Sequence, residues 1–273
     1  MADAEIRPSV NITESMKQPN QSTETPKIIT WGDAKQSDRR QQLLELFRRW
    51  PVSDAEFFLN LGMFLPPQTL GRTLFMDHLY RQILPIQGIV VEFGCRWGQN
   101  LSLLTSLRGI HEPFNRLRKI VGFDTFDGFP SVAPQDVGLS QGMYSTAPGY
   151  AQYLAQVLEL MEQESPLPHI KKHEIVQGDA SATIHEYLKK NPETIIAMAY
   201  FDMDIYQPTR DCLLAIRDHL TQGSIIGFDE INDHACPGET VALKEVLGLS
   251  RFSIRRFGPS SRTSYVVVDG PLS

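Results

Sequence analysis

GIVVEFGCRWG, at residues 88–98, decides the fold of this chain. The apolar run at residues 89–91 is typical of a buried strand, and Gly94 and Gly98 frame a tight turn before a helical pattern. A ligand can approach the backbone of such a turn, because glycine has no side chain and tolerates positive φ. Glu92 precedes the turn, where its charge would repel a pyrophosphate but suits a cationic or hydroxyl-bearing ligand. The segment therefore predicts a strand, a turn and a helix around a pocket for S-adenosylmethionine.

Size and composition limit the class of protein. The chain has 273 residues, of which 41% are hydrophobic and 21% charged, and this is enough for one large α/β domain. A net charge of −6 provides no basic surface for nucleic acid, so we expect no nucleic-acid partner. No apolar run has the length of a membrane span, and the N-terminus lacks a signal-peptide pattern, so we expect no membrane partner. Three unpatterned cysteines indicate a reducing, cytoplasmic environment without disulfides or zinc.

The pattern divides the chain into three parts. Residues 1–35 are rich in polar residues and proline and have little apolar periodicity, which predicts a disordered arm. Residues 36–86 have helical periodicity and form a predicted helical extension or cap over the pocket mouth. Residues 87–273 form the predicted ligand-binding domain, in which the aperiodic loop at about residues 127–150 is a predicted lid.

Strands alternate with helices after residue 88, which predicts an α/β fold with a Rossmann-like, doubly wound sheet and a C-terminal antiparallel hairpin. In such sheets, ligands bind outside the carboxyl ends of the strands. Carboxylates follow the predicted strands at this edge: Glu92, Asp124, Asp179, Asp202, Asp229 and Glu230. Because their mutual repulsion costs stability, we expect cations or hydroxyl groups to be bound there.

The first of these carboxylates fit the cofactor half of the pocket. We expect Glu92 to orient the turn or meet the ammonium group, Asp124 to accept from the ribose hydroxyls, and Asp179 to accept from the adenine amino group. The alternative for each is a helix N-cap or turn-forming role, which is common for aspartate. The predicted cofactor-binding residues are Glu92, Gly94, Cys95, Gly98, Asn100, Asp124, Gly178, Asp179, Ala180 and Asp202.

The last carboxylates, Asp202, Asp204, Asp229 and Glu230, follow the fourth and fifth predicted strands. Close carboxylates on adjacent strand ends can share a divalent cation, and oxygen ligands without a nearby cysteine or histidine pair favour Mg²⁺ over zinc. A carboxylate beside such a cation can accept the proton of a coordinated substrate hydroxyl, and Asp202 is the candidate base. Asp204 and Glu230 can alternatively be solvated turn residues.

Histidine offers a second candidate base. His234 follows the fifth predicted strand, next to Asp233, and is expected to reach the site. Three other histidines, His78, His185 and His219, lie in helical patterns that are more typical of surface or packed positions. His234 is therefore a second predicted catalytic residue, after Asp202.

Four segments of the chain resemble one enzyme family. Residues 92–98 (EFGCRWG) look like motif I of class I S-adenosylmethionine methyltransferases, and residues 122–130 (GFDTFDGFP) resemble a segment of the macrocin and mycinamicin O-methyltransferases. Residues 201–209 (FDMDIYQPT) resemble the Asp-x-Asp-x-Tyr segment of that family, and residues 228–231 (FDEI) stand where it often has Asp-Asp. The resemblance covers roughly residues 57–269 and is nearest to the branch that acts on dTDP-6-deoxyhexoses such as rhamnose, including calicheamicin-type 3-O-methyltransferases.

This resemblance implies a seven-stranded sheet and a magnesium-dependent transfer of a methyl group to a sugar hydroxyl. The implied donor is S-adenosyl-L-methionine, which leaves as S-adenosyl-L-homocysteine, and the acceptor is an antibiotic glycoside or a nucleotide-linked deoxysugar of natural-product biosynthesis. Asp202 matches the aspartate that binds metal and is proposed as base, and Asp229 matches the first of two paired metal ligands. Glu230 is the third implied ligand, although the family usually has aspartate there.

Other activities stay open at the level of sequence. A magnesium-dependent catechol or phenol O-methyltransferase would chelate the same pair of hydroxyls, whereas a nucleotide sugar should need basic residues near the mouth, for which Arg72, Arg81, Arg96 and Arg116 are candidates. A nicotinamide-dependent oxidoreductase would use a similar sheet, but this turn departs from Gly-x-Gly-x-x-Gly and the late carboxylates have no role there. The helical extension also predicts a homo-oligomer, a dimer or larger.

Overall fold

The computed structural model describes residues 34–260 and 262–270. The disordered arm predicted for residues 1–35 lies almost entirely outside the described residues and stays a prediction. Among the described helices, none combines the length and the apolar character that a membrane crossing requires.

Helices and strands alternate from β1 onward, as the hydrophobic pattern predicts. The helices are α1 (Ala34–Arg48), α2 (Phe57–Asn60), α3 (Pro67–Gln82), α4 (Gln99–His111), α5 (Tyr150–Gln163), α6 (Ala180–Lys190), α7 (Tyr206–Ile216) and α8 (Gly238–Val246). Short 3-10 helices lie at Asp54–Glu56, Leu61–Phe64 and Arg217–His219. The strands are β1 (Ile89–Phe93), β2 (Ile120–Asp124), β3 (His173–Gln177), β4 (Ile196–Phe201), β5 (Leu220–Phe228), β6 (Arg255–Arg256) and β7 (Ser264–Val267).

The strands form one seven-stranded sheet in the order β3-β2-β1-β4-β5-β7-β6. β1 pairs in parallel with β2 on one side and with β4 on the other, so the strand order reverses at β1. β7 runs antiparallel to β5, and β6 is the antiparallel edge strand. The predicted doubly wound sheet with a terminal hairpin is confirmed. Its reversal point places the ligand site outside the carboxyl ends of β1 and β4.

Helices cover both faces of the sheet, because its parallel strands are apolar on both sides. β4 is buried along its whole length. α3, α4 and α5 pack on one face, and α6, α7 and α8 pack on the other. Each face of the sheet buries one large apolar cluster. The strand ends at the carboxyl edge are therefore held in place by a closely packed core.

α3 belongs to the core, although the sequence places it in a helical extension. Phe75, Met76 and Leu79 have no exposed surface. A Cβ on Gly227 of β5 would lie 3.1 Å from Leu79 Cδ1, so this helix packs directly on the sheet. The predicted extension over residues 36–86 therefore includes one helix of the main helical layer.

β5 spans nine residues, Leu220–Phe228, and contains an internal irregularity. Gly223 has a φ of 88° and lies where the register between β4 and β5 shifts, and a glycine at such a place is typical of a bulge. Gly223 interrupts the apolar pattern of the sequence, but β5 continues through it with only a local irregularity.

Candidate active site

The turn after β1 packs directly against the loop after β4. Gly94 has a φ of 85°, and a Cβ there would lie 2.0 Å from the backbone oxygen of Asp202. The Asp202 N–H donates to the backbone oxygen of Phe93 at 2.9 Å. Only glycine fits this contact, because any side chain would collide with the backbone. The predicted cofactor turn and the predicted catalytic aspartate are therefore neighbours.

Glu92 lies just before this turn and is buried, with 1% of its surface exposed. Asn100 donates to Glu92 Oε1 at 2.8 Å, whereas Glu92 Oε2 has no hydrogen-bond partner among the described residues. Burial and the charge of Asp202 raise the pKa of Glu92 well above its ordinary value, and the Asn100 hydrogen bond opposes them. A buried carboxyl oxygen without a partner is costly. Glu92 Oε2 is therefore available to a ligand, and contact of Glu92 with a cationic or hydroxyl-bearing ligand stays a prediction.

Asp124 ends β2 and joins the glycine turn to the following loop. Its Oδ2 accepts from the Arg96 N–H at 2.7 Å, and its Oδ1 accepts from the Phe126 N–H at 2.6 Å. Arg96 and Phe126 have positive φ values of 42° and 60°, and strained residues of this kind gather at ligand sites. Each carboxylate oxygen has a second lone pair, so Asp124 can brace both loops and still accept from ribose hydroxyls.

Packing explains two of the residues that were predicted to bind the cofactor. A Cβ on Gly98 would lie 2.3 Å from Leu154 Cδ1 of α5, so this glycine lets two helices approach. The Cys95 thiol is buried 3.7 Å from the Glu92 backbone oxygen and 3.6 Å from that of Phe123, and burial raises its pKa. Contact of either residue with the cofactor stays a prediction.

The loop after β3 contributes Gly178, Asp179 and Ala180. The Gly178 N–H donates to the Asp124 backbone oxygen at 2.9 Å, which ties this loop to the end of β2. Asp179 is the N-cap of α6 and accepts from the Ser181 N–H at 2.9 Å. The helix-capping alternative for Asp179 is therefore present, and a contact between this loop and adenine stays a prediction.

The acceptor side of the edge contains Asp202, Asp229 and Glu230. One carboxylate oxygen from each residue lies within 4.8 Å of the other two. Glu230 Oε2 is buried and has no hydrogen-bond partner in the part of the chain that the structure describes. An oxygen-only group with an unpaired buried carboxyl oxygen fits Mg²⁺ better than zinc, which prefers nitrogen and sulfur ligands.

Arg72 reaches this group from α3. Its Nη1 donates to Asp202 Oδ2 at 3.0 Å, and its Nη2 donates to Asp229 Oδ1 at 2.6 Å. The Tyr200 hydroxyl donates to the same Asp229 oxygen at 2.9 Å. The sequence suggests Arg72 only as a basic residue near the mouth, whereas the structure places its guanidinium between two predicted metal ligands.

Solved structures resemble this chain over most of its length. The crystal structure of CalS11, a calicheamicin methyltransferase, shares 38% identity at a TM-score of 0.85 and covers 92% of this chain and 99% of that one. The apo structure of CalS11, a TDP-rhamnose 3′-O-methyltransferase, shares 37% identity at a TM-score of 0.78, with coverages of 87% and 96%. The chain belongs to this methyltransferase family. It is a class I S-adenosylmethionine-dependent O-methyltransferase.

A more distant structure, the O-methyltransferase NovP, shares 15% identity at a TM-score of 0.58 and covers 73% of this enzyme and 80% of NovP. NovP shows that the fold is shared. No family model and no curated protein matches the chain. Membership of the methyltransferase family excludes the nicotinamide-dependent oxidoreductase that the sequence left open.

The acceptor-side carboxylates of the methyltransferase differ in acidity. Burial and the charge of Asp229 raise the pKa of Asp202 to about 7, and Arg72 opposes this rise. Burial and Asp229 raise the pKa of Asp204 to about 6. Burial is the largest influence on Asp229 and acts to raise its pKa, but the Arg72 guanidinium, the Tyr200 hydroxyl and Arg262 together hold that pKa below its ordinary value. Asp202 is the better base of the two predicted ligands, because a general base works best with a pKa near the operating pH.

His234, the second predicted base, lies at the surface of the enzyme. Its side chain is 82% exposed, and its Nδ1 is 4.0 Å from Asp233 Oδ1. Arg262 connects this loop to Glu230, a predicted metal ligand, because its guanidinium contacts Glu230 Oε1 at 2.7 Å and Asp233 Oδ2 at 3.1 Å. The imidazole faces solvent rather than the carboxylates, so the geometry favours Asp202 as base.

A further buried carboxylate of the enzyme, that of Glu239, lies beside the loops after β4 and β5. Glu239 lies in the first turn of α8 and has no exposed surface. Burial and the charge of Asp202 raise its pKa well above the ordinary value. An acidic residue in a first helical turn is common, because it complements the helix dipole. Its sequence position therefore gives no functional signal.

The loop predicted as a lid contacts both halves of the site. Asp136 Oδ1 accepts from the Tyr206 N–H at 2.8 Å, at the start of α7. The Tyr144 ring stacks on Arg96, whose guanidinium carbon is 4.6 Å from the ring centre. The loop thus connects the donor-side turn with the segment after Asp202, and its opening and closing stay a prediction.

Proposed function

We propose that this enzyme methylates a hydroxyl group of a 6-deoxyhexose, carried on a nucleotide or on an antibiotic glycoside, with Mg²⁺ as cofactor. The observation that carries the proposal is the group formed by Asp202, Asp229 and Glu230 beside the glycine turn. CalS11, which shares 37% identity with this chain, is a TDP-rhamnose 3′-O-methyltransferase. Neighbouring hydroxyls of such a sugar are suitable ligands for a hard divalent cation.

The residues of the site have complementary roles in this reaction. Asp202, Asp229 and Glu230 would hold Mg²⁺, which when bound would supply a Lewis acid that lowers the pKa of an acceptor hydroxyl. Asp202 is suited to accept the hydroxyl proton, because burial and the charge of Asp229 raise its pKa and make it the more basic of the two aspartates. The contact between Gly94 and Asp202 fixes the donor turn relative to this base. Alignment of the acceptor oxygen with the methyl group is then the main contribution of the protein.

A methyl-transfer screen tests this function. The enzyme and S-adenosylmethionine are mixed with dTDP-rhamnose, a rhamnosyl glycoside or catechol, each with Mg²⁺ or with excess EDTA. We expect transfer to a deoxysugar with Mg²⁺ and a loss of about 100-fold or more in EDTA. Transfer to catechol alone would support the phenol O-methyltransferase instead. Undiminished transfer in EDTA would contradict the role of the cation.

We also propose that the enzyme is a homo-oligomer. The side chains of Phe58 and Leu59 are each 84% exposed, and that of Met63 is 68% exposed. Exposed apolar patches of this kind mark interaction surfaces. Light scattering should show a dimer or larger for the wild type and a monomer for a Phe58→Glu, Leu59→Glu double variant. A monomeric wild type would contradict self-association.

A cytoplasmic location is proposed from the cysteines. Cys95, Cys212 and Cys236 are all free and buried. Unpaired cysteines are typical of a reducing compartment. Fractionation of producing cells should place the enzyme in the cytosolic fraction, and recovery from the medium would contradict this location.

A further inference from the structure

The N-terminus of α8 contacts both loops that contain the acceptor-side carboxylates. Three consecutive residues, Gly238, Glu239 and Thr240, make these contacts. One loop follows β4 and contains Asp202, and the other follows β5 and contains Asp229. α8 therefore spans the two loops whose carboxylates must converge on one cation.

Glu239 makes the central contact. Its Oε1 accepts from the Met203 N–H at 3.2 Å, in the loop after β4. Its Oε2 accepts from the Glu230 N–H at 3.2 Å, in the loop after β5. Each donor is directly next to a predicted metal ligand or is itself one. A single side chain thus joins the two loops at the residues that bear the carboxylates.

The neighbours of Glu239 fix the same geometry independently. A Cβ on Gly238 would lie 2.5 Å from the Asp204 backbone oxygen and 2.6 Å from the Tyr206 nitrogen, so only glycine permits this close approach. The Thr240 hydroxyl oxygen accepts from the Asn232 N–H at 2.8 Å, in the other loop. Asn232 has a positive φ of 67°, an unusual conformation for a residue with a side chain.

We propose that Glu239 is a positioning residue that sets the separation of Asp202 from Asp229 and Glu230 for binding a divalent cation. Its two hydrogen bonds hold the loops together against the repulsion between the carboxylates of Asp202 and Asp229. Residues that orient metal ligands in this way commonly control metal affinity. This inference rests on the proposed magnesium-dependent function and assigns to Glu239 a part of it beyond direct ligation.

Mn²⁺ titration of the full chain, followed by electron paramagnetic resonance, tests the proposal. Glu239→Ala and Glu239→Gln should weaken Mn²⁺ binding about 10- to 100-fold. Glu239→Asp keeps both acceptor oxygens on a shorter side chain and should recover part of the affinity. The matched control is Glu245→Gln on the same helix, where the 45%-exposed carboxylate pairs with Arg210 at 2.6 Å. This control should bind Mn²⁺ like the wild type.

Calorimetry with S-adenosylmethionine separates positioning from a general loss of structure. A positioning role predicts that the Glu239 variants keep wild-type affinity for the donor while Mn²⁺ binding weakens. Equal loss of both affinities, or wild-type Mn²⁺ affinity in Glu239→Ala, would overturn the proposal. If the Glu239 variants do not fold, Thr240→Val replaces them as the test. We expect this variant to bind Mn²⁺ about fivefold more weakly than the wild type, and unchanged binding would contradict the proposal. Failure of the wild type to bind Mn²⁺ would instead reject the proposed function.

Discussion

Two buried clusters of charged side chains in this enzyme differ in their balance of positive and negative charge. Glu162 on α5 contacts Arg108 at 2.5 Å and Lys172 at 2.7 Å, and although burial acts against them, these cations lower its pKa. At the sheet edge, burial and the neighbouring Asp229 raise the pKa of Asp202 to about 7. The chain neutralises the first cluster with its own cations and leaves the second with surplus negative charge. Such a surplus inside a protein indicates where an external cation or proton donor binds.

The largest expected effect comes from removing the proposed base. Asp202→Asn should lower the rate of methyl transfer about 10²- to 10⁴-fold, because the amide cannot accept the hydroxyl proton. Binding of S-adenosylmethionine, measured by calorimetry, should be largely retained, because Asp202 contacts the glycine turn through its backbone. The control is Asp218→Asn, whose side chain is 87% exposed and which should retain full activity. An active Asp202→Asn enzyme would rule out Asp202 as the base.

The second prediction concerns the neutralised cluster. Glu162→Gln leaves Arg108 and Lys172 buried without their carboxylate and should lower the free energy of unfolding by about 3–5 kcal/mol in denaturant titrations. Glu174→Gln is the control, because Glu174 pairs with Lys119 at a half-exposed position and should change stability by less than about 1 kcal/mol. A stability loss no larger than that of the control would show that the cations around Glu162 do not depend on its charge.

The third prediction gives the pH dependence of the same cluster. The pKa of Glu162 is lowered on folding, so its ion pairs stabilise the enzyme fully above the unfolded value of about 4.5. This stabilisation is lost as the pH falls through the folded pKa. The difference in unfolding free energy between wild type and Glu162→Gln should therefore shrink below about pH 4.5. A difference that grows with acidity would have the wrong sign.

The smallest effect is expected from Arg72. Its guanidinium offsets one of the two negative charges of Asp202 and Asp229 and competes with a divalent cation for both carboxylates. Arg72→Gln should therefore tighten Mn²⁺ binding about tenfold in the titration described above. Arg81→Gln on the same helix is the control, because the Arg81 side chain is 65% exposed and pairs with Asp77 instead. Weaker Mn²⁺ binding in Arg72→Gln would mean that Arg72 supports the cation site.

The sequence predicts the parts of the site that depend on strand order. Glu92, Asp124, Asp202 and Asp229 all lie at or just after the ends of strands, and parallel strands carry such residues to one edge. The structure places these four carboxylates at the carboxyl ends of β1, β2, β4 and β5. Local pattern and chain topology agree there, so sequence alone is sufficient.

Residues that arrive from helices escape this reasoning. Arg72 lies 130 positions before Asp202, and a helical period does not specify which strand end a side chain will reach. Glu239 resembles an ordinary first-turn acid, although it bridges two loops. His234 shows the converse, because proximity in sequence to β5 suggests a base that the structure leaves exposed. Tertiary packing determines where all three side chains lie, and local periodicity does not predict that packing.

Mn²⁺ binding by the wild type and by Asp229→Asn tests the proposed cation site most directly. Asp229 keeps a lowered pKa and lies in the group with Asp202 and Glu230, so the asparagine removes one charged ligand with little change in shape. We predict saturable binding of Mn²⁺ to the wild type, competed by Mg²⁺, and binding at least about tenfold weaker in the variant. Absence of saturable binding in the wild type, or equal binding by both proteins, would contradict the assignment of these carboxylates as the cation site.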